Sequence, residues 1–295
     1  YVQDGDVVLD LGSGSGKICY MAAQLVGDSG RVIGVDMNDE MLALARKYQP
    51  EMAEKLGGDK VSFVKGQIQN LAQDLDNPEN KEPLIADNSV DLVLSNCVLN
   101  LVNDSDKKQL VEEIFRVVKP GGRIAMSDIV ADETIPDHLK ADPELWSGCI
   151  SGSFLEDEFL ESFKQAGFLA VKCDKWDAEP WQVVEGIEFR SVTITAVKGA
   201  DVPCIDKGHA VIYKGPYAEI TDDEEHVYYR GKRMAVCERT YNFLIDGPYG
   251  DDFIGIPPSQ ESEGQLWCAP AGTLRPVSET KGSQHSHAKT GGSCC

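Results

Sequence analysis

The sequence predicts an α/β fold, a doubly wound and mostly parallel sheet, followed by a small β-rich C-terminal domain. Three observations carry that prediction. Short apolar runs alternate with helical stretches up to about residue 200. A glycine-rich turn joins the first strand to the first helix, and beyond residue 205 the text changes to strand and turn.

Each element has its own justification. Residues 6–12, DVVLDLG, form an apolar run closed by glycine and read as a buried strand, and 17–27 read as a helix. RVIGVD, 31–36, is a second strand. Residues 38–57 form a helix capped by Asn38 or Asp39 and expected to be interrupted near Pro50. VSFVKGQI, 61–68, and VDLVLSN, 90–96, are strands three and four. Residues 106–118 place Leu110, Ile114 and Val117 on one helical face, and GGRIAMSDIV, 121–130, is strand five. A short helix over 156–167 precedes two strands near 169–176 and 188–198, expected to finish the sheet as an antiparallel hairpin.

These elements divide the chain into a ligand-binding domain over 1–200, a small β-rich domain over 201–256 and a tail over 257–295. The tail, rich in Ser, Gly, Pro, Gln and Thr without apolar spacing, is expected to be disordered. No repeats are evident. The abrupt start at Tyr1 reads as a fragment or a shortened N-terminus.

Of the 295 residues, 42% are hydrophobic and 26% charged, which is ordinary for a globular protein. The net charge of −21 repels phosphate backbones and anionic membrane surfaces, so neither nucleic acid nor membrane is an expected partner. No apolar run is long enough to span a bilayer. The nine cysteines are scattered without a CxxC pair, which favours reduced thiols in a cytoplasmic setting over a disulfide scaffold.

The loop DLGSGSG, Asp10 to Gly16, lets backbone N–H groups approach a ligand through Gly12, Gly14 and Gly16, and Asp36 at the end of strand two can accept both hydroxyls of a ribose. That much fits a dinucleotide, S-adenosylmethionine or a plain tight turn. Three features discriminate. The glycines follow GxGxG behind an acid, where the dinucleotide pattern is GxGxxG. ADNSVDLVLSN, 86–96, is an acidic turn entering strand four, and VKPGGR, 118–123, turns a helix end into strand five. As a set they resemble the Rossmann-like class I S-adenosylmethionine-dependent methyltransferases over about residues 1–200.

The resemblance implies roles by position. Asp10, Gly12, Ser13, Gly14 and Gly16 should hold the amino acid part of S-adenosylmethionine, and Asp36 its ribose, with Met37 against the adenine. Gly66, Gln67 and Ile68 should flank the adenine, and Asn96, Cys97 and Val98 should lie beside the sulfonium. For Met37, Ile68 and Val98, ordinary core packing is the competing reading.

The methyl acceptor is narrowed by what is missing and what is present. His138 sits in PDHLKADPE, which reads more simply as a solvated loop; His209, His226, His285 and His287 fall in no catalytic pattern. Cys149, in LWSGCISGS, sits among the small residues Ser147, Gly148, Ser151 and Gly152, and Cys204 stands at the start of the β-rich domain. Thiolates bind soft, thiophilic centres strongly, and trivalent arsenic keeps a lone pair that needs no general base. SNCVLNLV, LWSGCISGS, the stretch from Cys204 through AVIYKG, and the terminal GGSCC are similar to arsenite methyltransferases, from Tyr1 to about Leu244 and again at the end.

That resemblance implies Cys149 and Cys204 as ligands of As(III) or methylarsenite and as the catalytic residues. It also implies a thiol reductant such as glutathione or thioredoxin and, by expectation, a monomer. Family members carry further cysteines upstream of the glycine-loop strand, outside this chain. Two thiolates can still hold methylarsenite, which has one carbon and two exchangeable positions. Cys19 reads as core, Cys97 as a wall of the cofactor site, and Cys173 and Cys237 as structural residues in strand patterns. Cys294 and Cys295 read either as an arsenic-capturing pair or as a plain tail. Two rival readings stay open: methylation of a quinone- or sterol-type acceptor, and a non-catalytic thiol-based As(III)-binding protein.

Overall fold

A computed structural model describes residues 1–260 and 262–281. By its internal packing the chain divides into two units, Tyr1–Gly199 and Ala200 onward.

The first unit opens with β1 (Val7–Leu11), α1 (Lys17–Ala23), β2 (Arg31–Asp36), α2 (Asp39–Leu56), β3 (Val61–Lys65) and β4 (Val90–Asn96). It continues through α3 (Lys107–Val117), β5 (Val118–Ala131), α4 (Asp137–Lys140), α5 (Pro143–Ser147), β6 (Phe154–Leu155), α6 (Glu156–Gln165), β7 (Phe168–Trp176), β8 (Gln182–Val184) and β9 (Ile187–Lys198). The sheet order is β3-β2-β1-β4-β5-β9-β7; β3 through β5 are parallel, whereas β9 runs antiparallel to both β5 and β7. The last strand in sequence therefore inserts beside β5.

Alternation along β1 explains the two layers. Val8 packs with Cys19, Leu42 and Ala45 of α1 and α2, while Leu9 and Leu11 pack with Leu110, Ile114, Phe159 and Phe163 of α3 and α6. Helix α2 runs unbroken through Pro50, contrary to the expected interruption. Pro50 is exposed, so the carbonyl it frees faces water, and the helix is anchored by buried Leu42 and Ala45. The Asn38 side chain caps it, accepting from Glu40 N–H and Met41 N–H at 2.9 and 3.2 Å. Strand β3 ends at Lys65, short of the expected 68. The PGGR segment lies inside β5, with a register shift against β4 between Val90 and Leu92.

The second unit contains β10 (Ile205–Asp206), β11 (Ala210–Tyr213), β12 (Glu219–Thr221), β13 (Val227–Tyr229), β14 (Arg233–Ala235), α7 (Glu238–Asp246), β15 (Phe253–Ile256) and β16 (Gln265–Leu266). Strands β14-β11-β15 form one antiparallel sheet, and β10–β16 and β12–β13 form two ribbons. Val211, Tyr213, Tyr228, Met234, Leu244 and Phe253 make its core. Two expectations are corrected here. The stretch read as strand and turn contains α7, which starts at a Cys237 cap and buries Thr240 and Leu244; Cys237 is thus not in a strand. Residues 262–281 are not a loose tail: β16 pairs with β10, Met234 bridges to Leu274, and buried Arg275 donates to both Asp206 oxygens at 2.6 and 3.1 Å. Polar composition hid this segment because it is held by an ion pair rather than by apolar periodicity. Cys294, Cys295, His285 and His287 lie outside the described residues.

Candidate active site

At the carboxyl ends of the parallel strands, β1 lies between β2 and β4, so the connections leave to opposite sides and open a crevice. The glycine loop lies there. Gly12, Gly14 and Gly16 have φ of +68°, +52° and +82°. A Cβ on Gly12 would stand 2.4 Å from a Val98 methyl, and one on Gly16 would stand 2.6 Å from the Phe63 ring. At Gly14 nothing lies within 4 Å of that position. The loop is therefore closed below and open at its middle glycine, a cradle that a side chain would fill.

Asp36 fastens this loop. Its two oxygens accept from Gly14 N–H and Asn38 N–H, each at 2.8 Å. Asp10 lies beneath the loop, 2% exposed, and accepts from the Cys19 thiol at 3.2 Å. Burial raises its carboxyl to about 7; the Cys19 hydrogen bond works the other way, and the Asp36 charge adds to the rise. Ser13 is buried with its hydroxyl unpartnered, as is Ser95 on β4. Met37 is 62% exposed at the end of β2, and Asn96 is exposed at the end of β4. Gly66 accepts no strand pairing but donates its N–H to the Asp36 carbonyl at 3.1 Å; Gln67 is half-buried. Ile68 packs in the main core, in line with its competing reading, and half-buried Val98 packs against the same cluster. An open glycine cradle, an orphaned hydroxyl and a strand-end carboxylate are the donors and acceptors that an amino acid bearing a ribonucleoside needs.

Cys149 is held more firmly than a loop residue usually is. Its φ is +60°, a left-handed conformation costly for a residue with a Cβ. Its N–H donates to the Trp146 carbonyl at 3.0 Å, and its carbonyl accepts from Asn100 Nδ2 and Ser153 Oγ, both at 3.0 Å. Asn100, fully buried, also donates to the Ile129 carbonyl at 2.7 Å. A Cβ on Gly152 would stand 2.0 Å from the Asn100 carbonyl oxygen, so that glycine is needed for the close approach. The Cys149 thiol donates to the Cys97 carbonyl at 3.1 Å, and exposed Cys97 is itself left-handed at +56°.

Asp128 at the end of β5 organises the same corner. It is 1% exposed and accepts from Leu99, Ile129 and Asn100 N–H groups. Burial lifts its carboxyl to about 6 against those hydrogen bonds. Burial first, then the Asp128 charge and Cys97, push the Cys149 thiol up to about 11. Asn100, Asp128 and Ser153 went unnoticed in the sequence, because each acts through backbone groups far along the chain and no spacing announces it. Exposed His138 pairs with Glu185 at 2.9 Å on the surface, consistent with its solvated reading.

In the second unit Cys204 is half-buried. Burial, then hydrogen bonding and repulsion from Cys237, push its thiol up to about 11. Cys237 goes the other way. Burial opposes its ionisation, but hydrogen bonds from Thr240 and Cys204 and the charge of Arg239 bring it below its ordinary value. Among the described residues no three His, Cys, Asp or Glu side chains form a ready metal-ion cage.

The sheet order and the cradle at its switch point define a class I S-adenosylmethionine-dependent methyltransferase. A family model described as a methyltransferase domain matches residues 2–167, and a model of a domain of unknown function matches 200–285. The chain is 36% identical to the arsenite methyltransferase of Aquipseudomonas alcaligenes over 85% of its own length and 72% of that protein's. It is 32% identical to that of Mus musculus over 85% of its own length and 66% of the relative's. The crystal structure of an arsenic(III) S-adenosylmethionine methyltransferase from Chlamydomonas reinhardtii matches with a TM-score of 0.60 at 28% identity, covering 90% of this chain and 89% of that one. The chain belongs to the arsenite methyltransferase family. No helix among the described residues is long and apolar enough to cross a membrane.

Proposed function

We propose that this chain methylates trivalent arsenic, arsenite or methylarsenite, with Cys149 and Cys204 as its arsenic-binding thiols. The observation that carries the reading is the fixing of Cys149: a left-handed cysteine whose carbonyl is held by Asn100 and Ser153 and whose thiol is aimed at the Cys97 backbone. A cysteine serving only to fill space has no need of that geometry. The glycine loop takes the amino acid part of S-adenosylmethionine and Asp36 its ribose. Met37, Gly66, Gln67 and the backbone at Ile68 border the adenine, and Asn96, Cys97 and Val98 border the sulfonium. Bound S-adenosylmethionine supplies a methyl group made electrophilic by that sulfonium.

The chain's own work is capture, alignment and exclusion of water. Protonated Cys149 and Cys204 exchange for oxygen ligands on arsenic, each thiol proton leaving as water with a displaced hydroxide. No side-chain base is required, because the arsenic lone pair is the nucleophile. Glutathione or thioredoxin keeps the thiols reduced, and the reaction serves arsenic detoxification in a soluble, cytoplasmic, monomeric protein. Cys149→Ser should abolish arsenic methylation, read by chromatography with arsenic detection, while leaving S-adenosylmethionine affinity unchanged. Methylated product from that variant at wild-type rates refutes the assignment.

A further inference from the structure

The second unit gathers a sulfur, an imidazole and a carboxylate outside the site described above. The hub is Asp222, in the turn between β12 and β13. One of its oxygens accepts from Glu224 N–H at 3.0 Å and His226 N–H at 2.9 Å. The other accepts from the Tyr228 hydroxyl at 2.8 Å and lies 2.9 Å from His226 Nδ1. Burial opposes ionisation of Asp222, but the bonds from His226 and Tyr228 hold it below its ordinary value. An ionised carboxylate can only accept, so His226 Nδ1 carries a proton and Nε2 is left to face outward. Nε2 lies 3.9 Å from the sulfur of Cys268, which is exposed whereas the His226 side chain is 13% exposed. Strand β16 puts Cys268 there: Leu266 pairs with Ile205, and Trp267 N–H donates to the Cys204 carbonyl at 3.0 Å. The Asp222 bond pushes His226 up to about 9 against its burial, helped by Cys268 and by the Asp222 and Glu224 charges. At neutral pH a cationic N–H therefore faces the Cys268 sulfur.

We propose that Cys268 is a thiol–disulfide exchange site for a small disulfide of the glutathione type, with His226, oriented by Asp222, as proton donor to the departing sulfur. A cation beside a sulfur favours its thiolate, and the thiolate is the nucleophile in disulfide exchange. Nucleophile, proton-carrying imidazole and orienting carboxylate are the parts of an activated thiol. Disulfide exchange asks for a thiolate and one proton for the departing sulfur, and the array supplies those two. The Cys268 thiol proton leaves to water. Its sulfur then attacks one sulfur of the disulfide, a new S–S bond forms and the old one breaks. The departing sulfur takes the Nε2 proton of His226, which water restores. The products are a mixed disulfide at Cys268 and one free thiol, with no further oxidant. The proposal is independent of the arsenic reading, since neither Cys268 nor His226 is assigned to arsenic or to S-adenosylmethionine.

The test mixes the full reduced chain with glutathione disulfide at neutral pH, without arsenic or S-adenosylmethionine, and follows the initial rate of glutathione attachment at each cysteine by peptide mass mapping. Cys268 should react about tenfold faster than Cys173, which is equally open to solvent but has no imidazole beside it. In urea the two rates should converge, because the advantage belongs to the folded array. His226→Gln should bring the Cys268 rate down to that of Cys173 and leave the Cys173 rate unmoved. Buried Cys237 reports folding in the same maps, since it stays unmodified only while the unit is intact. A Cys268 rate no higher than that of Cys173 in the folded wild-type chain overturns the proposal, and so does an unchanged Cys268 rate in His226→Gln. Should that variant expose Cys237, the wild-type comparison of folded chain with urea decides: a Cys268 advantage lost in urea supports the site, and one that persists there refutes it.

Discussion

Gly14→Ala isolates the contribution of the cradle. At φ +52° a residue with a Cβ costs about 1–2 kcal/mol relative to glycine. No steric cost is added, because nothing lies within 4 Å of the new methyl. Stability should therefore fall by about 1–2 kcal/mol, a modest shift in a urea unfolding midpoint. In the proposed binding mode the methyl enters the space of the cofactor's amino acid part, where overpacking costs about 1–3 kcal/mol. That corresponds to roughly a 5- to 150-fold rise in Kd for S-adenosylmethionine, measured by calorimetric titration. Gly12→Ala reverses the pattern, because its methyl meets Val98 at 2.4 Å and the strain falls on the fold. An unchanged Kd for Gly14→Ala, or a stability loss as large as that of Gly12→Ala, refutes the placement of the cofactor over this loop.

Other consequences can be checked directly. Asp10 titrates at about 7 in the folded chain and near 4 when unfolded, so its stabilising contribution is full below about pH 4 and lost as pH rises through 7. Asp10→Asn should flatten that decline between pH 5 and 8 in urea midpoints; an identical slope argues against a buried, proton-retaining Asp10. Iodoacetamide should label Cys149 slowly at pH 7.5, with a rate rising about tenfold per pH unit toward 11; a plateau near pH 8 contradicts its environment. Arg275→Ala breaks a buried pair with Asp206 and should cost about 3–5 kcal/mol in the C-terminal unit, seen as rapid proteolysis there; wild-type resistance means residues 262–281 contribute little.

The parallel half of the sheet was legible because its strands are buried on both faces and appear as continuous apolar runs ending in Gly, Asp or Asn. The cradle was legible because left-handed backbone at Gly12, Gly14 and Gly16 leaves glycine as its signature. Helix α7 was not, since Tyr241, Phe243 and Ile245 alternate with polar or smaller residues much as a strand would, and only the Cys237 cap marks its start. Residues 262–281 were missed for the opposite reason: Arg275 supplies order through charge and stacks on Trp267 at 5.6 Å, which no hydropathy pattern records. Cys149 was singled out by its small neighbours, but Asn100 and Asp128, which position it, were invisible until β4 and β5 came side by side. Cys237 was read as structural because it falls in a strand-like pattern, whereas its sulfur caps α7.

The Asn100 side chain has a mechanical consequence. By gripping the Ile129 carbonyl on β5 and the Cys149 carbonyl in the loop at once, it rivets a surface turn to the middle of a sheet. The backbone at Cys149 is therefore tied to a strand although it sits in a loop. In the proposed function, the thiol offered to an arsenical hangs from a backbone that the sheet has already fixed.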